Sequence, residues 1–509
     1  MRRRAFLGVV PALWLPSPWL PSMARAQPVL ADDPFGLGVA SGRPTARSIV
    51  LWTRLMAAEP HERPRESIEV SWSLCRDERL QQVVRSGKAT AEARWAHSVH
   101  VEVGDLEPGR TYWYRFVVRG KPSPIGRTRT AADPAAALAT LRFGFGSCQQ
   151  YEQGYYAALG HAAVEELDAF VHLGDYIYEL SWGRDLVRRH EVGRPTTLEE
   201  YRDRYALYKS DPALQAAHAA HPWIVTWDDH EVDDDYTGDV SPLVGDSARF
   251  LAQRGAAYQA FWEHMPLPES MRPQGPSMRL HDRLRFGDLA EFHVLDGRQH
   301  RSHHACRETL TRGKLLTGCE ERLDPRRSLL GAEQEAWLGD GLRRAAARWN
   351  VIAQPTLMAE LDRGRDGTTS HWADGWDGYA PARRRLLDQV AASPTRDTLV
   401  IGGDVHSFWA TDLRRDFARG GEPVVATEFV GGSLTSQGPS EARMKALLAR
   451  NPHIRYGRTG ANGYAVVALA PKSAEVAFRT VRSVKERESP VSTLARFAVE
   501  SGRPGVQAL

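Results

Sequence analysis

The sequence predicts an α/β protein in two parts, an N-terminal β-sandwich over 27–133 and a larger α/β domain over 138–509. Three observations carry this reading. Short alternating runs separated by turn signals fill the first part. From Leu141 onward, apolar strand runs alternate with stretches of helical spacing. Four of those later runs end in side chains able to hold a metal: Cys148; Asp175 with Tyr178; Asp229 with His230; and Asp404 with His406.

Taken in order, the chain begins with Arg2-Arg3-Arg4-Ala5-Phe6-Leu7, an apolar run to Leu20, and Ala24-Arg25-Ala26. A basic start, a short apolar stretch and an A-x-A site read as a cleaved export signal over 1–26, and the paired Arg before x-Phe-Leu as a twin-arginine one. The expected partner is the twin-arginine export machinery, and the expected location periplasmic or secreted. Pro11, Pro16 and Pro18 break the apolar run and Pro21 follows it, and there is no later run of 18 or more apolar residues, so no transmembrane segment is expected in the mature form.

The first part holds strands at Ser48–Thr53, Ile68–Leu74, His97–Val103 and Thr111–Val118. The Leu106-Glu107-Pro108-Gly109 turn leading into Tyr112-Trp113-Tyr114-Arg115-Phe116 resembles a fibronectin type III strand pair, which implies packing rather than chemistry. Ala131–Ala137 reads as a linker. Helical spacing recurs at Tyr156–Glu166, Leu198–Ser210, Ser247–His264 and Gly331–Arg348, and late strands at 464–469 and 474–480 add an antiparallel edge; beyond Glu486 the tail is weakly patterned.

The 509 residues carry a formal net charge of +3, too small for a nucleic-acid binder built on bulk charge. Of four cysteines, Cys306 and Cys319 share one loop-like stretch and form a plausible disulfide in an oxidising compartment, worth about 3 kcal/mol in the chain-entropy model. Cys75 reads as an inert buried thiol. Cys148 is left over at a strand end, where metal ligation is a reason for it.

Thiolate, phenolate and imidazole from Cys148, Tyr178 and His406 suit a transition metal, and the first two favour ferric iron. Asp175, Asp229, Asp235 and Asp404 are hard donors suited to Ca²⁺, Mg²⁺ or Mn²⁺. Asp175 has two oxygens and can bridge both sets. Two cations about 3.5–4 Å apart clamp a phosphate and generate a hydroxide nucleophile near neutral pH. His230 is either a ligand or a hydrogen-bond donor beside the metals. Arg204, on the Leu198–Tyr205 helix, offers a bidentate fork for phosphate, with Arg202 as the competing choice. Asp228 and His230 join Arg204 as candidate catalytic residues. Asp296 and Arg298 are read as a pair lining the pocket, and Trp372, Trp376 and Tyr379 as an aromatic wall or plain core.

These motifs resemble the PhoD-like alkaline phosphatase family of the calcineurin-like metallophosphoesterase superfamily. The resemblance runs through 35–55, 96–116, Ser147–Glu152, Gly174–Glu179, Trp227–Val232, Leu329–Gln334, Trp376–Tyr379 and Gly403–His406. It implies an αββα sandwich of two sheets, twin-arginine export, Fe(III) with Ca(II), and hydrolysis of phosphomonoesters and phosphodiesters. It further implies an iron site at Cys148, Asp175, Tyr178 and His406, calcium contacts at Asp175, Asp229 and Asp404, and a phosphate contact at Arg204. Where many members read Asn-Asn, this chain has Asp234-Asp235, leaving open which of the two is a ligand and adding negative charge. The rival functions are a phosphodiesterase or phospholipase D-type enzyme on the same metals, and a non-catalytic surface binding module.

Overall fold

The computed structural model of the chain describes residues 30–58, 66–307, 314–395, 397–418 and 421–509. The export signal expected at 1–26 lies outside the described residues. No helix among them is long and apolar enough to cross a membrane.

Two large sheets form the centre. Edge to edge, the ten-stranded sheet runs Arg503–Ala508, Val491–Glu500, Ser473–Val481, Asn462–Leu469, Leu141–Gly146, Ala169–Leu173, Pro222–Thr226, Val39–Gly42, Ile49–Arg54 and Ser98–Val103. The seven-stranded sheet runs Asp282–Phe286, Ala290–Val294, Trp349–Ala353, Asp397–Gly402, Val424–Gly431, Phe408–Arg414 and Ile454–Arg458. The middle strands of each sheet are parallel, and every residue of Ala169–Leu173 is buried. That is why these strands read as unbroken apolar runs rather than as alternation.

The period of two decides which residue meets which layer. Ala169, Val171 and Leu173 point into the core between the sheets, against Phe143, Phe145, Phe292 and Val351. Phe170 faces the other way, under Tyr201, Tyr205 and Leu214 of the helices Leu198–Lys209 and Pro212–Ala220. The far face of the seven-stranded sheet is covered by Ala332–Arg343, Ala380–Ala392 and Glu441–Arg450. The result is the expected αββα sandwich.

The N-terminal part is a β-sandwich, but one of its sheets is not its own. Ile68–Cys75, Val83–Ala91 and Thr111–Val118 form the outer layer. They pack on Val39, Ile49, Leu51, Val99 and Val101, which belong to the ten-stranded sheet. The junction is a parallel pairing, Ser41 opposite Pro222 and Gly42 opposite Trp223. The tail beyond Glu486, expected to be weakly patterned, makes two strands, because Val491–Glu500 pairs along the length of Ser473–Val481. The helices expected at 156–166 and 331–348 are shorter, Ala157–Ala162 and Ala332–Arg343.

Behind the Ala169–Leu173 strand lies a buried basic pocket. Lys209 Nζ sits 4.2 Å from the Trp52 ring centroid and 3.4 Å from His218 Nε2. The same imidazole nitrogen meets Tyr176 Oη at 2.8 Å, and His172 has no partner on either nitrogen. Burial drives the Lys209 ammonium well below its usual range and lowers His172 to about 3. A folded pKa below the unfolded one gives stability that is lost as pH falls. Lys209→Met is therefore expected to raise stability by about 1–3 kcal/mol, more at pH 6 than at pH 10, in thermal unfolding. A lower melting temperature at every pH would show that the Trp52 contact outweighs the cost of burying the amine.

Candidate active site

The four strand ends meet through their backbones. Gly174 has φ +93°, and a Cβ there would lie 2.5 Å from Asp228 N, so only glycine lets the loop after Leu173 press against the loop after Thr226. Cys148 N donates to Gly174 O at 3.1 Å, and Gln149 N to Asp175 O at 3.1 Å. Glu231 accepts from the backbone N of Asp175, Tyr176 and Asp228 at 3.1, 2.5 and 2.8 Å, tying two loops to one carboxylate. Within this framework Cys148, Asp175, Asp235, Asp404 and His406 all hold left-handed backbone, with φ of 59°, 54°, 54°, 65° and 47°. For residues bearing a Cβ that region costs of order 1–3 kcal/mol each, and such strain concentrates at sites where side chains must be aimed.

The aimed side chains form three overlapping groups. Cys148, Asp175 and His406 bring one ligand atom each within 4.8 Å of one another; so do Asp175, Asp229 and His230, and so do Asp229, Asp234 and Asp235. Tyr178 Oη donates to Asp175 Oδ2 at 3.0 Å and lies 3.1 Å from His406 Nε2, placing the phenol inside the first group. Ser436 Oγ donates to Tyr178 Oη at 2.9 Å. His406 Nδ1 donates to Gln437 O at 3.1 Å, which leaves Nε2 as the atom facing Asp175. His230 Nδ1 donates to Glu179 Oε2 at 2.7 Å.

Such a concentration of buried carboxylates demands positive charge. Burial, with Asp229 and Asp228 close by, raises Asp175 well above the carboxylate range despite His230 beside it. Burial and Asp374 do the same to Asp235. Burial and Asp175 raise the Cys148 thiol, while burial and His230 lower His406 to about 4 and keep it a neutral donor. Asp175 Oδ1 and Asp228 Oδ2 are buried without any hydrogen-bond partner. Soft donors on one side, carboxylates on the other and an unpartnered shared oxygen between them fit a pair of unlike cations.

One protein cation answers part of this charge. The fully buried Arg298 donates Nε to Asp228 Oδ1 at 2.5 Å and grips Asp374 with Nη1 and Nη2 at 2.8 and 2.7 Å, with Asp229 Oδ1 at 3.4 Å. Asp374 is held in turn by Arg301 and by His304 Nε2 at 2.8 Å.

Comparison with known proteins places this geometry. The family model described as PhoD-like phosphatase matches residues 143–478, and that of the PhoD-like phosphatase N-terminal domain matches 22–132. Alkaline phosphatase D of Bacillus subtilis (strain 168) is 40% identical over 495 residues, covering 95% of this chain and 84% of that protein. The chain belongs to the PhoD-like phosphatase family. The solved structure of PhoD superposes with a TM-score of 0.90 at 39% identity, over 94% of this chain and 92% of that one.

In this PhoD-like phosphatase the geometry brings together Cys148, Asp175, Tyr178, Asp229, His230, Asp235 and His406, and corrects other expectations. Arg204 is 1% exposed and turned away from the cleft: Nη1 donates to the carbonyls of Tyr178 and Glu179, Nη2 to those of Val192 and Gly193. It fastens the loop that carries Tyr178, with both terminal nitrogens spent on carbonyls. The competing Arg202 is likewise engaged, by Glu263 and Glu199. Asp228 is pinned to Arg298 and stands outside the three groups, as does Asp404, whose Oδ2 accepts from Thr356 Oγ1 at 2.6 Å. Asp296 accepts from the backbone N of Arg298, not from its guanidinium. Trp376 and Tyr379 are core: they are buried, and Tyr379 Oη donates to Ser302 O at 2.6 Å. Cys306 and Cys319 are disulfide-bonded, while Cys75 and Cys148 are free and buried. Sequence reasoning missed Glu179, Glu231, Asp374, Ser436 and Lys314; for the two glutamates the signal was an acidic residue directly following a ligand motif.

Proposed function

We propose that this phosphoric-ester hydrolase of the PhoD-like phosphatase family is a metal-dependent alkaline phosphatase, exported by the twin-arginine pathway, that acts on phosphomonoesters and phosphodiesters with Fe(III) and Ca(II). The observation that carries it is the sharing of Asp175 between two groups, Cys148 and His406 with Tyr178 on one side and the carboxylate of Asp229 on the other, with the His230 imidazole beside them as a proton carrier rather than a ligand. Thiolate, phenolate and imidazole suit ferric iron, and the Asp229–Asp235 oxygens suit calcium. Bound there, two such cations supply charge to the phosphoryl oxygens and acidify a water.

The chain's own residues do the rest. Asp175 and Asp229 fix the spacing of the two halves. Ser436 and Gln437 set the directions of the Tyr178 phenol and the His406 imidazole. His230, anchored through Nδ1 on Glu179, presents Nε2 as the proton-bearing atom for the leaving oxygen. Export is supported by the basic, A-x-A-terminated leader and by the Cys306–Cys319 disulfide, which belongs in an oxidising compartment.

The test is metal analysis of the purified protein together with rates on nitrophenyl phosphate and its bis-ester. Iron and calcium are expected, with a visible absorption band that Tyr178→Phe or Cys148→Ser removes, and reversible inactivation by EGTA. Stoichiometric zinc without iron overturns the iron assignment. Failure to hydrolyse either ester overturns the activity, and the ratio of the two rates decides between monoesterase and diesterase.

A further inference from the structure

A phosphate ester brings negative charge into a cleft built of carboxylates, so a protein cation with freedom to turn is needed beside the groups that hold metal. Arg204 and Arg202 are engaged elsewhere, and Arg298 is enclosed by Asp228, Asp229 and Asp374. Lys314 is differently placed. Its Nζ lies against Asp235 Oδ2 and 3.1 Å from Asp234 Oδ2, two of the three residues in the last ligand group. Its side chain is 31% exposed. Its backbone is fixed: Ala373 N donates to Lys314 O at 2.7 Å, and the following strand, Leu315–Thr317, pairs with Ser370–Trp372.

An ammonium and a divalent cation compete for the same two oxygens, and the ion of higher charge wins at a site rich in carboxylates. The displaced ammonium stays within a side-chain length of the cleft, because the strand does not move with it. We propose that Lys314 is the cation that meets the phosphoryl group, held on Asp234 and Asp235 until calcium takes them and then turned to a phosphoryl oxygen. This rests on the metal-dependent reading above and names the residue that supplies phosphate with its protein contact.

Calcium titration of the chelator-treated full-length protein by calorimetry tests the first half. Lys314→Met is expected to bind calcium about 10-fold more tightly, because the competitor is gone, and to melt at a lower temperature before calcium is added. Inorganic phosphate as a competitive inhibitor of the loaded enzyme tests the second. Its inhibition constant is expected to rise about 10-fold in Lys314→Met and to recover in Lys314→Arg. Unchanged calcium affinity, or unchanged phosphate inhibition in an active Lys314→Met enzyme, overturns the proposal. So does the same loss in Arg307→Gln with none in Lys314→Met, since Arg307 is another cation that feels the charge of Asp235. A wild type that takes up no calcium and hydrolyses no ester overturns instead the reading on which the proposal rests.

Discussion

Asp175→Asn is expected to lower kcat/KM by about 10³-fold or more while leaving the protein folded. The substitution keeps size and removes charge. One carboxylate oxygen accepts from Tyr178 and the other is buried without a partner, so both are committed to the centre of the site. A neutral amide offers one oxygen and one NH₂ group, and the NH₂ would face the thiol, phenol and imidazole of Cys148, Tyr178 and His406. Stability should move the opposite way. Burial and neighbouring carboxylates raise the folded pKa of Asp175, so its contribution is present at low pH and lost as pH rises through the folded value. In chelator-treated protein at pH 8, Asn removes that loss, and the melting temperature should rise. Loss of activity together with a fall in melting temperature would show a scaffold residue instead.

Arg298→Met is expected to cost about 3–5 kcal/mol in denaturant unfolding. The guanidinium is fully buried between Asp228, Asp229 and Asp374. Burial opposes its charge, but the three carboxylates together raise its pKa well above the usual arginine value. Removing it leaves buried carboxylates without their counter-charge. Arg298→Lys should recover only a minor part, since a point charge cannot fork to Asp228 and Asp374 together. A loss below about 1 kcal/mol would mean that His304 and Arg301 hold Asp374 without it.

The strand ends were legible because each joins a local apolar run to ligand residues within a few positions, with glycine at three of the four and an Asp-Asp-His-Glu cluster at the other, and Asp175, Asp229 and His406 needed nothing more. Arg204 was misread for a matching reason. Its helix and its charge are local, but its captors are backbone carbonyls: those of Tyr178 and Glu179 sit in a motif legible only for its side chains, and those of Val192 and Gly193 in a loop with no signature of its own. The grip of Arg298 on Asp374 was hidden by the distance between them in the chain. The edge strands at 491–508 were missed because Phe497 and Val499 alone of the Val491–Glu500 strand are buried, so alternation is nearly absent from their sequence.

The parallel pairing of Ser41 with Pro222 and Gly42 with Trp223 also sets an order of events in synthesis. Val39–Gly42 emerges early, yet its partner strand appears only after the whole first part and three further helices have been made. Until then the strand is paired on one side only, with Ile49–Arg54, and its other edge is bare. The N-terminal segment therefore cannot reach its final state as an autonomous unit on the ribosome. Long-range parallel closure of this kind is slow, and a bare strand edge stays open to wrong pairing until it is complete.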